Sequence, residues 1–234
     1  MSHQISPYRI RSFVRRDSRM TAAQQRAFIA GWLRFGLSLE QGQLNYEQIF
    51  GRQAQRVLEI GFGSGESLLA AALAYPERDF IGIETHKPGV GALLLGVEAK
   101  ELQNIRVYYA DAVDVLEKSI PENSLDIIQI FFPDPWQKRR HHKRRLIQRE
   151  LVGLLVRKLK PHGLLHLATD WEDYALHMMQ VLSANPNLRN LAGIGNYADR
   201  SAGRPSITKF ERRGEKAGHK IWELQFSFTT EPGA

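Results

Sequence analysis

The sequence contains no cysteine, and this absence excludes disulfides, thiolate nucleophiles and cysteine-bound zinc or iron–sulfur clusters. Long apolar runs are also missing, since no uninterrupted stretch approaches the ~20 residues of a membrane-spanning helix. Residues 1–11 lack the apolar segment of a signal peptide. His141 and His142 are adjacent and do not share a helical face as a metal-binding pair would. We therefore expect a cytoplasmic protein without a membrane segment or a metal.

Acidic residues are absent from the stretch in which cations concentrate. This basic run, residues 138–145, holds six Lys or Arg residues and two His. Residues 1–20 hold five Arg against one Asp, with little apolar content, and we expect them to form a flexible basic arm. Because the whole chain carries only +7, the remainder is slightly acidic. The distribution favours a polyanionic partner, with a solvated charged face as the alternative for either stretch alone.

Strands alternate with helices along most of the chain. At 234 residues, the length suits one α/β domain over residues 21–234. The alternation predicts a mostly parallel sheet with helices on both faces, and a long loop before the final segment permits an antiparallel last strand. The predicted strands, seven in number, are residues 56–60, 79–84, 105–109, 125–132, 164–169, 188–194 and 220–229.

Glycines and carboxylates follow the first three predicted strands. The first strand leads into a turn with three glycines, Gly61, Gly63 and Gly65. Such a turn lets a ligand approach the backbone and a helix N-terminus, although by itself it is a weak signal. Glu84 ends the next strand about 20 residues later, where an acid can accept from both hydroxyls of an adenosine ribose. Asp111, after the third strand, can reach an adenine amino group.

The fourth predicted strand stops at Pro133-Asp134-Pro135-Trp136. Proline fixes φ and donates no N–H, so the strand cannot continue through this sequence. Asp134 is therefore held in a stiff loop just past a strand end, which is where open α/β sheets bind ligands. The basic run follows at once. The combination predicts a planar base held beside Asp134 while the basic run holds the surrounding phosphates.

Five motifs, in this order, resemble those of the bacterial tRNA (guanine-N7-)-methyltransferases. They are V-L-E-I-G-F-G-S-G, I-G-I-E-T-H-K-P-G-V-G, F-F-P-D-P-W-Q-K-R-R-H-H-K-R-R, A-T-D-W and T-K-F-E-R-R-G. The resemblance spans roughly residues 8–228. It implies a Rossmann-like class I methyltransferase fold and transfer of a methyl group from S-adenosylmethionine to N7 of a guanine in the tRNA variable loop.

The resemblance also implies a role for individual residues. The cofactor residues would be Glu59, Gly61, Gly63, Gly65, Glu84, Asp111, Ala112 and Asp134. The residues that meet the target nucleotide would be Lys138, Asp170, Thr208, Lys209, Phe210 and Glu211. The residues that hold RNA phosphates would be Arg140, His141, His142, Lys143, Arg144 and Arg145. More local roles stay open for four of them: Glu59 could pair with an Arg, Asp170 could cap a helix, and Lys209 and Glu211 could form a surface ion pair.

The expected reaction needs no general base. Guanine N7 offers an in-plane lone pair, so the protein must supply position, exclusion of water and compensation for the positive charge that develops. Asp134 can accept from the guanine N1–H and N2–H edge, and we expect it to be the catalytic residue through orientation and electrostatics. Trp136 and Phe210 are candidates for stacking on a splayed-out base, although an aromatic after a strand is often core.

Three other activities would fit part of this sequence pattern. A nicotinamide-dependent dehydrogenase would share the strand, turn and acid, but its glycine spacing differs and it needs no basic run. A non-catalytic RNA-binding module would not need acids at successive strand ends. An exocyclic-amine methyltransferase usually carries Asp/Asn-Pro-Pro-aromatic, whereas the order here is Pro-Asp-Pro-Trp. We expect a monomer, and a homodimer stays open, as does the set of tRNAs accepted.

Overall fold

The computed structural model describes residues 19–200, 204, 205, 211, 218 and 220–230. The predicted basic arm therefore lies outside the described residues except for its last two positions. Within the described residues, eight strands form one sheet in the order β1-β4-β3-β2-β5-β6-β8-β7. The strands are β1 (Gly36–Leu37), β2 (Arg56–Ile60), β3 (Asp79–Glu84), β4 (Ile105–Tyr109), β5 (Leu125–Phe131), β6 (Leu159–Thr169), β7 (Leu188–Asn190) and β8 (Trp222–Phe228).

The sheet is parallel except at β8, which runs antiparallel to both of its neighbours, β6 and β7. The mostly parallel sheet with an antiparallel last strand is thus confirmed. The seven predicted strands are all present, and the eighth is the two-residue β1, which pairs with β4 at the sheet edge. Two residues carry no periodicity, so the sequence pattern could not reveal β1.

Seven α-helices, α1 to α7, cover the sheet within the described residues. They are Ala22–Phe35, Tyr46–Phe50, Glu66–Ala74, Lys87–Ala99, Ala112–Lys118, Arg149–Lys158 and Glu172–Ser183. Two 3₁₀ helices lie at Leu39–Gln41 and Arg139–Arg144. None of the helices in this part of the chain is long and apolar enough to cross a membrane.

Alternating strand residues build a hydrophobic core on each face of the sheet, because successive side chains of a strand point to opposite sides. Val57 packs with the core that includes Leu68 of α3 and Leu93 of α4. Its neighbour Leu58 packs with the other core, which includes Leu155 of α6. The predicted placement of helices on both faces is confirmed.

The basic run folds differently from the expectation. Leucines at helical spacing, from Leu146 to Leu159, predict a helix over residues 144–159. The basic run instead forms the 3₁₀ helix Arg139–Arg144, and α6 begins only at Arg149. Arg145 ends the 3₁₀ helix with extended ψ of 135°, and Gln148 before α6 is also extended. The chain between the two helices therefore leaves the helical path, and the basic run is not the first turn of α6.

Candidate active site

The carboxyl ends of the parallel strands bring the predicted site residues to one edge of the sheet. Strands β2 to β6 all run in the same direction, so the segments that follow them emerge on the same side. The predicted residues at these positions are 61–65 after β2, Glu84 at the end of β3, Asp111 after β4, Asp134 after β5 and Asp170 after β6. The residues predicted to bind the cofactor and the substrate at these positions thus share one edge.

The glycine turn after β2 is closed by Glu84. Gly63 has a φ of 58° in the left-handed region, which glycine adopts at little cost, and its N–H donates to Oε2 of Glu84 at 2.8 Å. Oε1 of Glu84 accepts from the backbone N–H groups of Thr85 at 2.6 Å and His86 at 2.9 Å. A Cβ at Gly89 would lie 2.1 Å from the carbonyl oxygen of Gly63, so α4 packs directly on the turn. Glu84 is held in one orientation at the predicted ribose position.

Glu59 lies in β2 beside this turn and is only 2% exposed. Its Oε2 has no hydrogen-bond partner among the described residues. Burial raises the pKa of Glu59 to about 8, while the cation of Arg204 opposes the shift and the charge of Glu84 adds to it. At neutral pH the carboxyl group is mostly protonated, and an approaching cation favours its ionisation. Glu59 is thus a buried acid suited to a positively charged ligand.

Asp111 is the N-cap of α5, and Ala112 is the first residue of that helix. Oδ1 of Asp111 accepts from the backbone N–H of Val113 at 2.8 Å, which fixes the carboxylate at the helix start. Together with Glu59 and Glu84, Asp111 gives the β2–β4 half of the edge three oriented acids beside a turn that exposes backbone. This set fits S-adenosylmethionine, which has ribose hydroxyls, an adenine amino group and a positive charge.

The Asp134 loop, residues 132–136, has a strained backbone. Phe132 and Trp136 both lie in the left-handed region, with φ of 51° and 46°. Non-glycine residues adopt this region at a cost of roughly 1–3 kcal/mol and keep it only where the surroundings hold them. Between them, Asp134 is exposed to solvent. The loop therefore presents one carboxylate at the sheet edge on a backbone that its neighbours must hold in place.

Arg145 is one of the groups that hold the Asp134 loop. Its side chain is 2% exposed, its Nε donates to the carbonyl oxygen of Pro135 at 2.9 Å, and its guanidinium pairs with Asp173 of α7. The guanidinium also lies 4.8 Å from the ring centroid of Tyr174. The resemblance implies that Arg145 holds RNA phosphates, but the structure buries its guanidinium in protein contacts. Arg145 thus clamps the loop to α7.

The remainder of the basic run is more accessible. Lys138, Arg140 and Lys143 are exposed, whereas the guanidinium of Arg144 lies 5.0 Å from the ring centroid of Trp136. The ring of His141 meets Trp136 edge-on at 5.9 Å. Trp136 is therefore packed within the basic run, which limits the face it could offer to a base. Lys138, Arg140 and Lys143 form the cationic surface that the sequence predicts for phosphates.

Dehydration in the turn lowers the pKa of His141, and the surrounding cations, with Arg140 and Arg144 foremost, lower it further. The neutral form of the His141 ring is therefore favoured. The ring of His142 contacts the Arg145 guanidinium, whose Nη2 donates to His142 Nε2 at 3.1 Å. The two histidines thus take part in the packing of the basic run.

The remaining predicted residues differ in their placement. Asp170 is half-buried between β6 and α7, and the N-cap of α7 is Trp171 rather than Asp170. Thr208, Lys209 and Phe210 lie outside the described residues. Glu211 is buried and pairs with Arg200 and Arg204, so it is not the surface partner of a lysine.

Sequence reasoning missed Arg204 and Glu223, which are both buried and paired with each other. No local pattern distinguishes Arg204 from the arginines around it, and Glu223 resembles the polar position of an alternating strand. Within the described residues there is no group of three or more His, Asp or Glu side chains that could hold a metal ion.

Comparisons with known proteins agree with this geometry. A family model described as a putative methyltransferase matches residues 53–224. The tRNA (guanine-N(7)-)-methyltransferase of Alcanivorax borkumensis is 56% identical over 218 residues, which cover 93% of this chain and 91% of that protein. The tRNA (guanine-N(7)-)-methyltransferase of Idiomarina loihiensis is 54% identical over 217 residues, covering 93% and 88%.

Solved structures share the fold at much lower sequence identity. The 16S rRNA methyltransferase KamB superposes with a TM-score of 0.57 at 14% identity, covering 79% of this chain and 92% of that chain. A structure described as an antibiotic related methyltransferase gives a TM-score of 0.54 at 18% identity, covering 83% and 95%. At these identities the likeness concerns the fold alone.

Proposed function

Because the chain belongs to the family of bacterial tRNA (guanine-N7-)-methyltransferases, we propose that it methylates N7 of a guanine in the tRNA variable loop. S-adenosylmethionine is the methyl donor. The observation that carries the proposal is the shared edge of the sheet, where the glycine turn and its acids lie beside Asp134 and the basic run. A cofactor site and an anion-binding surface on one edge suit methyl transfer to RNA.

The cofactor would be held by the three acids of the β2–β4 half. Glu84 would accept from the ribose hydroxyls and Asp111 from the adenine amino group, while Glu59 would face the cationic end. When bound, S-adenosylmethionine supplies an electrophilic methyl group on a positively charged sulfur. The backbone of the glycine turn, bordered by Glu84 and α4, lets the ligand approach closely and excludes water from that side.

Asp134 would act on the target guanine. Guanine N7 attacks through a lone pair that carries no proton, so the guanine becomes more positive as the bond forms. A carboxylate that accepts from N1–H and N2–H orients the ring and stabilises that charge. The strained and clamped backbone of the Asp134 loop keeps the carboxylate in position before the substrate arrives, which lowers the cost of orientation.

The basic run would hold the RNA backbone. Lys138, Arg140 and Lys143 are exposed next to the Asp134 loop, where they can contact phosphates on either side of a splayed-out guanine. The same proposal includes a basic arm over residues 1–20 and a single domain over residues 21–234. It also includes a monomeric enzyme and a cytoplasmic location, which is where tRNA is found. Asp170 and residues 208–211 are kept as proposed nucleotide contacts, Glu211 through the ion pairs that position this segment.

The test is to identify the methylated nucleoside. Unmodified tRNA transcript is incubated with the protein and methyl-labelled S-adenosylmethionine, then digested, and we expect the label in N7-methylguanosine. A transcript with adenosine in place of the variable-loop guanine should remain unlabelled. Label in another nucleoside would discard the proposed role of Asp134 while keeping the fold and cofactor. Salt-sensitive tRNA binding without any label would instead identify an RNA-binding protein.

A further inference from the structure

A buried arginine lies behind the Asp134 loop. Arg204 is 1% exposed and is the largest of the fully buried side chains within the described residues. Its Nη1 donates to Oε1 of Glu223 and its Nη2 donates to Oε2 of Glu211. A guanidinium has a planar fork that can serve two carboxylates at once, which an ammonium group cannot reproduce. One cation therefore joins two acids that are 12 residues apart in sequence.

The same guanidinium touches the entry to the Asp134 loop. Its central carbon lies 4.7 Å from the ring centroid of Phe131 and 5.5 Å from that of Phe132. Phe131 ends β5, and Phe132 is the strained residue with φ of 51° that precedes Pro133 and Asp134. A cation over aromatic faces in a dry environment is an attractive contact. Arg204 thus packs on the residues that set the direction of the loop.

The two carboxylates connect Arg204 to different parts of the site. Glu223 lies in β8 and pairs with His166 of β6, the strand that precedes Asp170. Glu211 is the last residue of the T-K-F-E sequence and also accepts from Nε of Arg200 at 2.8 Å. The network therefore links the strand on one side of the Asp134 loop to the segment that the resemblance assigns to nucleotide contact.

We infer that Arg204 is a positioning residue for methyl transfer, which fixes the Phe131–Phe132 entry to the Asp134 loop and Glu211 in one mutual arrangement. The inference rests on the proposed function. Arg204 is too deeply buried to touch RNA, so it acts through its neighbours. Its loss should lower the rate of the chemical step while leaving tRNA affinity to the exposed cations of the basic run.

The alternative is that Arg204 serves stability alone. A double variant that keeps the buried charges balanced distinguishes this role from a positioning role. Replacing one member of a buried ion network leaves an unpaired charge and destabilises the fold, whereas replacing opposite charges together often restores stability. We therefore compare Arg204→Met with the double variant Arg204→Met/Glu223→Gln, in which Gln can still hydrogen-bond to His166. Arg157→Met is the matched control, because Arg157 pairs with Glu122 at the surface.

The measurements are Tm, kcat and the KM for tRNA of each variant. We expect Arg204→Met to lower Tm and the double variant to recover much of that loss. We expect kcat to fall at least about tenfold in both variants, with the KM for tRNA within about threefold of wild type, since a lost orientation affects the transition state. Arg157→Met should match wild type in all three quantities.

Recovery of kcat together with Tm in the double variant would overturn the inference, because Arg204 would then serve stability alone. A large rise in the KM for tRNA at unchanged kcat would also overturn it. Should Arg204→Met fail to fold, Arg204→Lys takes its place; it keeps the charge and loses the fork, and full activity in Arg204→Lys would contradict the inference. Failure of the proposed function is seen separately, as wild-type protein that forms no N7-methylguanosine.

Discussion

The two halves of the active edge hold their carboxylates by different means. On the β2–β4 half, Glu84 accepts from backbone N–H groups of its own turn and of the glycine turn, and Asp111 caps the helix that follows it. On the β5–β8 half, side chains rather than backbone groups hold the loop that carries Asp134. Arg145 reaches a partner 28 residues away and Arg204 reaches one 19 residues away, and both contact the Asp134 loop.

The backbone conformations follow the same division. The turn after β2 uses glycine where φ is positive, so its shape carries little strain. The Asp134 loop uses Phe132 and Trp136 at positive φ, so its shape depends on the contacts that surround it. The β2–β4 half is therefore determined mainly by local sequence, whereas the β5–β8 half is determined by tertiary ion pairs. Substitutions should affect the two halves in different ways.

The largest effect is expected at Asp134. Asp134→Ala should lower the rate of methyl transfer by about 10²–10³-fold, because it removes the group that compensates the developing charge. Tm should change little, since the side chain is exposed. Steady-state assays with labelled donor measure the rate. Asp114→Ala, at an exposed pair with Lys118, is the control, and wild-type activity in Asp134→Ala would remove Asp134 from the mechanism.

A substitution at Glu59 tests the β2–β4 half. Glu59→Gln should weaken S-adenosylmethionine binding at least about tenfold, because a buried cation loses its counter-charge. Isothermal titration calorimetry measures the affinity, with Glu98→Gln on the exposed side of α4 as the control. Unchanged affinity in Glu59→Gln would show that the cationic end of the cofactor binds elsewhere.

The same variant has an opposite effect on stability. The pKa of Glu59 is raised from 4.5 to about 8 by burial, so the folded state favours the protonated acid and wild-type stability falls as pH rises from 4.5 to 8. Gln does not titrate. The free energy of unfolding of Glu59→Gln, relative to that of wild type, should therefore increase as pH rises over this range. Urea unfolding at several pH values measures it, and a constant difference would contradict the assignment.

The basic run contains both exposed cations and the buried Arg145, and the salt dependence of tRNA binding distinguishes them. Lys143→Ala should reduce the slope of log affinity against log salt by about 1, since one phosphate contact and its released counterion are lost. Arg145→Met should leave that slope unchanged, because the guanidinium is buried in protein contacts, and should lower the rate by loosening the loop. tRNA binding at several salt concentrations measures both slopes. Equal changes in the two slopes would place Arg145 on the RNA.

The smallest effect is expected at Asp173. The hydrogen bond from Arg145 lowers the pKa of Asp173 below 3.8, so this pair stabilises the fold above that pH and the contribution is lost as pH falls through the lowered pKa. Since Asp173 is 62% exposed, Asp173→Asn should cost under about 1 kcal/mol at pH 7. Urea unfolding at neutral and acidic pH measures it, and an equal cost at both would contradict the pairing.

The division between the halves also explains what the sequence could predict. The mostly parallel sheet and the acids at strand ends follow from apolar strands that alternate with helices, so Glu84 and Asp111 are found by position. Gly63 is recognisable because it belongs to a glycine-rich turn after a strand, and glycine adopts its positive φ at little cost. Local sequence determines this half of the site, and the structure places it at the expected edge.

The structure of the β5–β8 half is less predictable from its local sequence. Arg145 has the same neighbours in sequence as the exposed cations of the basic run, and only the packing of α7 distinguishes it. Arg204 lies in a polar segment that predicts a loop, and its burial arises from Glu211 and Glu223 together. The positive φ of Phe132 likewise has no sequence signal, because bulky residues rarely adopt it. These features depend on contacts that form only in the folded chain.

The proposed role of Asp134 is to orient guanine and compensate charge without taking a proton. The most direct test is the solvent deuterium isotope effect on single-turnover formation of N7-methylguanosine with saturating tRNA and donor. We expect a ratio of rates in water and deuterium oxide of about 1, since no proton moves in the transition state. A ratio above about 2 would show that proton transfer limits the step and would rule out this role for Asp134.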